Sequence, residues 1–233
     1  MKTIVVCGTS KNLGKYLSEN FSKKNKVFKI SRSANKQDKN QISCNISKKQ
    51  DAKKSLKFLK NKQKKIDAFI FCIGDSSKNY DDFAESNHFD QSFKSNFYPF
   101  VNLLNSYLEI FKKKPTQFIV ISSIAGFKNI NAPKTYSIAK KALNFYCSIM
   151  AKELAKNKII INLISPGNIL MENNNWSKKI KVNKHKVKKY IKENVPSNKF
   201  CTPHEILQTC EFIINNQGNL VGSNIIIDGG QVL

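Results

Sequence analysis

Tyr136 and Lys140 stand four residues apart, so on a helix they share one face, and Ser123 precedes Tyr136 by 13 residues. A tyrosine phenol, with a pKa near 10, is a poor proton donor or base at neutral pH; a nearby ammonium favours the phenolate and lowers that value. A serine hydroxyl beside the phenol lets the two hold a carbonyl oxygen between them. The Tyr-x-x-x-Lys spacing says little by itself in a chain this rich in lysine, and Tyr16 and Tyr190 are given no role on that ground.

A second group of chemically capable residues lies near the start of the chain. Gly8-Thr9-Ser10-Lys11-Asn12-Leu13-Gly14 directly follows the apolar run Thr3 to Cys7 and leads into an amphipathic stretch. Glycines in such a strand-to-helix turn permit a tight bend and close approach of backbone to a pyrophosphate, whose charge rests on the helix N-terminus. Gly8, Ser10, Lys11, Asn12, Leu13 and Gly14 are the candidate contacts. At the end of a second strand a carboxylate suits the ribose hydroxyls of NAD and a cation suits the 2′-phosphate of NADP. The sequence there is Ile30-Ser31-Arg32-Ser33, with no acid. Arg32, the one arginine of the chain, is a bidentate phosphate partner that also stacks on adenine, and Lys11 is close enough to join it, so NADP(H) is expected over NAD(H).

These residues need a scaffold. Apolar runs at Thr3 to Cys7, Lys26 to Ile30, Ile42 to Cys44, Ala68 to Ile73, Phe118 to Ile121, Ile159 to Ile164 and Asn224 to Ile227 alternate with amphipathic stretches. The stretches are about Leu13 to Lys24, Lys48 to Lys60, Gln91 to Phe111, Tyr136 to Ala155 and Pro203 to Asn215. Runs that are nearly continuous in Val, Ile and Phe indicate strands covered on both faces. The rhythm predicts an α/β fold, a doubly wound parallel sheet in a single domain over residues 1–233. One segment, about Leu170 to Asn198, falls outside the rhythm. It is Lys-rich, helical in its middle and without a strong apolar stripe, and it follows a strand end, as an active-site lid would.

Composition narrows the class. Forty Lys+Arg against 16 Asp+Glu give a formal net charge of +24. Nucleic-acid readers lean on arginine, and its near absence, beside abundant Asn and Ile, argues against nucleic acid as a partner. No apolar run has the roughly 18 residues that a membrane-spanning helix needs, and no signal peptide is expected from the opening residues. The six cysteines are widely spaced, with no CxxC and no metal-site spacing, so reduced thiols in the cytoplasm and no metal are expected.

The ordered set of motifs resembles the short-chain dehydrogenase/reductase family over essentially the whole chain, in particular its 3-oxoacyl-carrier-protein reductases. Gly8 to Gly14 resembles the family's TGxxxGxG, and Asp67 to Gly74 resembles its D-x-x-V-N-N-A-G. Asn96 falls where the family has its tetrad asparagine. Ser123 to Gly126 resembles SxxG, Tyr136 and Lys140 match YxxxK, and Ile161 to Gly167 resembles N-x-[VI]-x-P-G. Phe200 to Ile206 and Gly222 to Gly230 are similar to two later family segments.

The resemblance implies a Rossmann-type sheet of about seven strands and hydride transfer between a nicotinamide and a carbonyl or secondary alcohol carbon. It implies Tyr136 as general acid, Lys140 lowering its pKa and binding the nicotinamide ribose, Ser123 orienting the carbonyl, and Asn96 holding a relay water. Asn45, with Ile46, looks like the adenine-contacting site; Gly74, Pro166, Gly167 and the backbone near Ile169 line the cofactor cleft. It further implies a homodimer or homotetramer, and the basic 177–189 stretch suits an anionic or carrier-bound substrate. The sequence departs from the family at Asn12, which replaces a glycine, and at Cys7, Phe71, Cys72 and Met171. A non-catalytic nucleotide sensor on the same fold is the alternative, and a complete Asn96, Ser123, Tyr136 and Lys140 set argues for the enzyme.

Overall fold

The computed structural model describes residues 1–33, 38–76, 84–172, 174–216 and 219–233. Its centre is a parallel sheet of β1 (Thr3–Cys7), β2 (Lys26–Ser31), β3 (Gln41–Ser43), β4 (Ala68–Phe71), β5 (Thr116–Ile121), β6 (Ile159–Pro166) and β7 (Asn224–Ile227). The spatial order is β3-β2-β1-β4-β5-β6-β7, so the winding reverses between β1 and β4. A crevice opens at the strand C-termini at such a reversal, here beside Cys7, which is paired with both Ile30 and Phe71.

Alternate residues of each strand serve opposite faces, which explains the continuous apolar runs. Val5, Cys7, Phe69, Phe71, Phe118 and Val120 face α2 (Lys49–Lys62), α4 (Tyr98–Ile110) and α5 (Lys134–Leu154). Ile4, Val6, Ala68, Ile70, Ile119 and Ile121 face α1 (Asn12–Phe21) and α8 (Pro203–Asn215). Phe69 and Phe118, paired across β4 and β5, stack at 4.8 Å between centroids, with Tyr107 of α4 edge-on to both. The buried Tyr107 hydroxyl donates to Lys114 O at 2.8 Å, so this aromatic core carries no orphaned phenol.

Two expectations need correcting. The helix expected across Gln91 to Phe111 is two, α3 (Ser86–Asn96) and α4, broken at Phe97. Pro99, within the first turn of α4, has no N–H to give the Ser95 carbonyl, and its ring is tolerated only near a helix start. The break leaves Asn96 as the last residue of α3. The 170–198 segment is also less polar in its packing than its composition suggests. It holds α6 (Asn175–Val182) and α7 (Lys184–Asn194), whose Trp176, Ile180, Val187, Tyr190 and Ile191 form a small cluster with Val195 and Phe200. The lysines interrupt this stripe in sequence without entering it, which hid it from a reading by composition. Among the described residues no helix is long and apolar enough to cross a membrane, and all six cysteines are free.

Candidate active site

The crevice is lined by the glycine loop, Ser31 and Arg32 from the end of β2, Cys44 to Ser47 after β3, Cys72 to Asp75 after β4, and Ser95 of α3. The loop has the geometry that its glycines predict. Gly8 sits at φ +94° and donates its N–H to Ile30 O at 2.7 Å. A Cβ on Gly14 would lie 2.2 Å from Gly8 O, so α1 crosses its own entry loop where only glycine fits. Asn12 takes φ +51°, the left-handed region that asparagine tolerates, so replacing a glycine there preserves the turn. No side chain caps the start of α1 and its first turn holds no acid, so its N–H groups and positive end face the crevice uncontested.

Arg32 is exposed at the β2 edge of the crevice, with its carbonyl held by Ser43 Oγ at 3.1 Å. Asp75, at the β4 edge, is the crevice's one carboxylate among the described residues. Gly8, Ser10, Lys11, Asn12, Leu13, Gly14, Arg32, Asn45, Ile46 and Gly74 thus meet in one place, as expected. Pro166, Gly167 and Ile169 lie beyond it, at the end of β6: Gly167 N donates to Ile227 O, and Ile169 bridges Cys201.

The four candidate chemical residues converge next to the crevice. Ser123 follows β5, and its Oγ accepts from Ala125 N at 3.2 Å and is near enough to the Tyr136 phenol to lower its pKa. The Lys140 ammonium lies 5.8 Å from the centre of the Tyr136 ring and donates to Ile121 O at 3.2 Å. Gly74 is the spacer between them and Asn96, since a Cβ there would lie 3.2 Å from both Asn96 Oδ1 and Lys140 Nζ. Asn96 is fully buried, and its amide is engaged on both sides: Oδ1 accepts from Asp75 N at 2.8 Å, and Nδ2 donates to Asp75 O and Ser92 O. Its direct effect is to fix the 74–75 backbone at the crevice edge. Ser92 in turn donates to Thr135 O at 3.0 Å, tying α3 to the first turn of α5, one residue before Tyr136.

Electrostatics follows from this burial. Lys140 is 2% exposed, and loss of solvent pulls its pKa down to about 8. Burial pushes the Tyr136 phenol up; the Ser123 hydrogen bond opposes this and the Asp75 carboxylate adds to it. Loss of solvent therefore outweighs the lowering that Lys140 was expected to give the phenol. A phenol held above its usual value carries its proton at neutral pH and can donate it. Asp75 and Ser95 line both the crevice and a small pocket with Gln91, Ser92, Asn96, Thr135 and Tyr136. Sequence reasoning passed over both residues, although Asp75 directly follows Gly74 at the mouth of a parallel strand, where sites concentrate.

Comparison with known proteins agrees with this architecture. The family profile described as Enoyl-(Acyl carrier protein) reductase matches residues 16–231. A 3-oxoacyl-(acyl-carrier-protein) reductase of Bos taurus is 22% identical over 196 residues, 81% of this chain and 76% of its own length. The 3-oxoacyl-(acyl-carrier-protein) reductase FabG of Aquifex aeolicus is 26% identical over 127 residues, 54% of this chain and about half (49%) of its own. The structure of ElxO with NADP bound superposes with a TM-score of 0.88 at 20% identity, covering 99% of this chain and 98% of ElxO, a likeness of fold. Since the profile match runs from within α1 to beyond β7, the chain belongs to the short-chain dehydrogenase/reductase family of NAD(P)-dependent oxidoreductases.

Proposed function

We propose that the protein is an NADP(H)-dependent reductase of a ketone or aldehyde, with Tyr136 as the proton donor. The observation that carries this reading is the convergence of Ser123, Tyr136 and Lys140 at the edge of a crevice whose floor only glycine can form. The crevice suits a dinucleotide: the loop lets backbone approach a pyrophosphate, and the open end of α1 meets its charge. When bound, the nicotinamide supplies the hydride. Ser123 and Tyr136 hold the carbonyl oxygen, and Tyr136 passes its proton to that oxygen as it becomes an alcohol. Lys140 lends positive charge to the phenol as the proton leaves and holds the nicotinamide ribose. Asn96 keeps Gly74 and Asp75 in register, beside the polar pocket where a relay water would restore the proton. Pro166, Gly167 and the Ile169 backbone, beyond the crevice at the end of β6, would line the nicotinamide end of a bound cofactor.

The preference for NADP(H) is supported by Arg32 and Lys11 lining one crevice with no acid at its β2 end, and ElxO, of the same fold, holds NADP. Helices α6 and α7 act as the lid. Their lysines at 178, 179, 181, 184, 186, 188, 189 and 192 stand against Glu193 alone on α7, which pairs with Lys189, and favour an anionic or carrier-bound substrate. The protein is proposed to work as a homodimer or homotetramer in the cytoplasm. Incubation with NADPH or NADH and a panel of ketones, 3-oxoacyl thioesters and keto-sugars, followed by absorbance loss, tests this. NADPH consumption by at least one carbonyl class is expected; no consumption with either cofactor overturns the reading.

A further inference from the structure

We propose that Asn144 is a positioning residue for this reaction: through Ser122 it fixes where Ser123 stands relative to Tyr136 and Lys140. The inference rests on the oxidoreductase reading above. Strand β5 ends at Ile121, so Ser123 lies two residues beyond the sheet and takes its place from other contacts. Ser122 N donates to Ile164 O at 2.8 Å, a bond in the plane of the sheet that does not set the distance to α5, which packs on the face. Contacts from one stripe of α5 supply that distance. Tyr136, Lys140 and Asn144 follow at four-residue spacing, so they run along one side of the helix. Ser123 stands beside the Tyr136 phenol, the Lys140 ammonium donates to Ile121 O at 3.2 Å, and Asn144 Oδ1 accepts from Ser122 Oγ. Three consecutive residues at the strand end are thus each met by one of three residues on the helix.

Asn144 also backs the turn that follows Ser123. The turn closes on itself, with Gly126 N donating to Ser123 O at 3.1 Å. A Cβ on Gly126 would lie 2.7 Å from Asn144 Nδ2 and 3.0 Å from the Lys140 carbonyl carbon, so the turn rests on α5 where only glycine leaves room. Stability does not explain this amide. Asn144 Nδ2 is buried without a partner, and so is Ser165 Oγ, on the residue after Ile164. A buried donor left unpaired is destabilising, whereas replacing both members of a hydrogen-bonded pair by apolar groups of the same shape is nearly neutral or better. Leucine at 144 with alanine at 122 would fill the space and leave neither residue with an unpaired side-chain atom. What that apolar pair would lack is direction. Packing alone holds Ser122 less precisely, and a site displaced by about 1 Å can lose about 100-fold in rate.

The test measures Tm and steady-state NADPH consumption by the full chain, with the compound of the panel above that wild type turns over fastest. Asn144→Leu and Ser122→Ala should each lower kcat about 10- to 100-fold and leave KM for NADPH unchanged, since the glycine loop and Arg32 are untouched. Combined, they should lower kcat no further, because one tie is being removed twice. The double variant should melt at or above wild type, because no side-chain atom of the pair is left unpaired. Ser122→Thr keeps the hydroxyl and should keep most of kcat. A double variant that turns over like wild type overturns the proposal, and so do losses that multiply or a kcat that falls only together with Tm. Ser122→Thr as impaired as Ser122→Ala also overturns it. In each of these cases wild type still consumes NADPH, and the Asn144 inference falls alone. If wild type consumes neither NADPH nor NADH with any member of the panel, the oxidoreductase reading falls and this one falls with it.

Discussion

Lys140→Met separates what the fold tolerates from what the chemistry requires. The Lys140 ammonium is buried, reaches a single carbonyl at 3.2 Å, and has its pKa drawn from 10.5 to about 8 by loss of solvent. A change of that size corresponds to about 3 kcal/mol of cost for holding the charge in the folded chain at pH 7. Below about pH 8 folded and unfolded chains both keep the proton, and the cost is full. Between about 8 and 10.5 the folded chain sheds it first, so stability rises with pH until the cost is gone. Methionine matches the length without the charge, but leaves Ile121 O without its donor at a cost of about 1 kcal/mol. The variant should therefore gain about 2 kcal/mol at pH 7, or about 4 to 8 °C in Tm for a chain of this size. At about pH 9.5 the gain should fall to near zero, since most of the cost it removes has already gone. Reductase activity should be lost at both pH values. Thermal unfolding by circular dichroism at the two pH values, under reducing conditions, is the assay. A variant that melts at or below wild type at pH 7, or a gain that does not shrink at high pH, refutes the reasoning.

Tyr136→Phe should keep the fold and cofactor binding and cut turnover about 100- to 10,000-fold, measured by steady-state kinetics on the substrate that the panel finds. Arg32→Ala should weaken NADPH about 10- to 150-fold and NADH much less, by titration of both; tighter NADH than NADPH binding by wild type would overturn the cofactor preference. Gly14→Ala forces a Cβ to within 2.2 Å of Gly8 O and should cost about 1 to 3 kcal/mol in denaturant unfolding, with loss of cofactor binding. Thr202→Ala removes a capping box in which Thr202 and Glu205 bond each other's backbone N–H, and should cost about 1 kcal/mol without changing turnover.

What the sequence made legible divides along a physical line. Strands buried on both faces announce themselves, because no alternation is needed: β1 and β4 lie within their predicted runs, and the order of elements leaves one natural winding. The glycine loop was legible for a related reason. A backbone crossing that no Cβ survives admits one residue type, so Gly14 carries its geometry in its identity. The helix break at Phe97 was also written, in Pro99, but a proline just inside a helix start looks like an interruption only when the two flanking helices are weighed separately.

The rest was illegible because it depends on partners distant in sequence. Asn96 was found by its place in a motif, yet its hydrogen bonds run to Asp75 and Ser92, and what it fixes is a loop 21 residues away. Lys140 and Tyr136 share the helix face that their spacing predicts, but the hydrogen bond of the ammonium to the Ile121 carbonyl, 19 residues upstream, was not written in that spacing. A helical spacing fixes only which groups come near each other. The proton affinities of Tyr136 and Lys140 are set by burial under β5 and the 74–75 loop, which α5 itself does not encode. The same holds for α6 and α7, whose aromatic cluster is built from Trp176, Tyr190 and Phe200 scattered among lysines. Local types and spacings therefore identified the groups that could react, and non-local packing determines in which protonation state they wait.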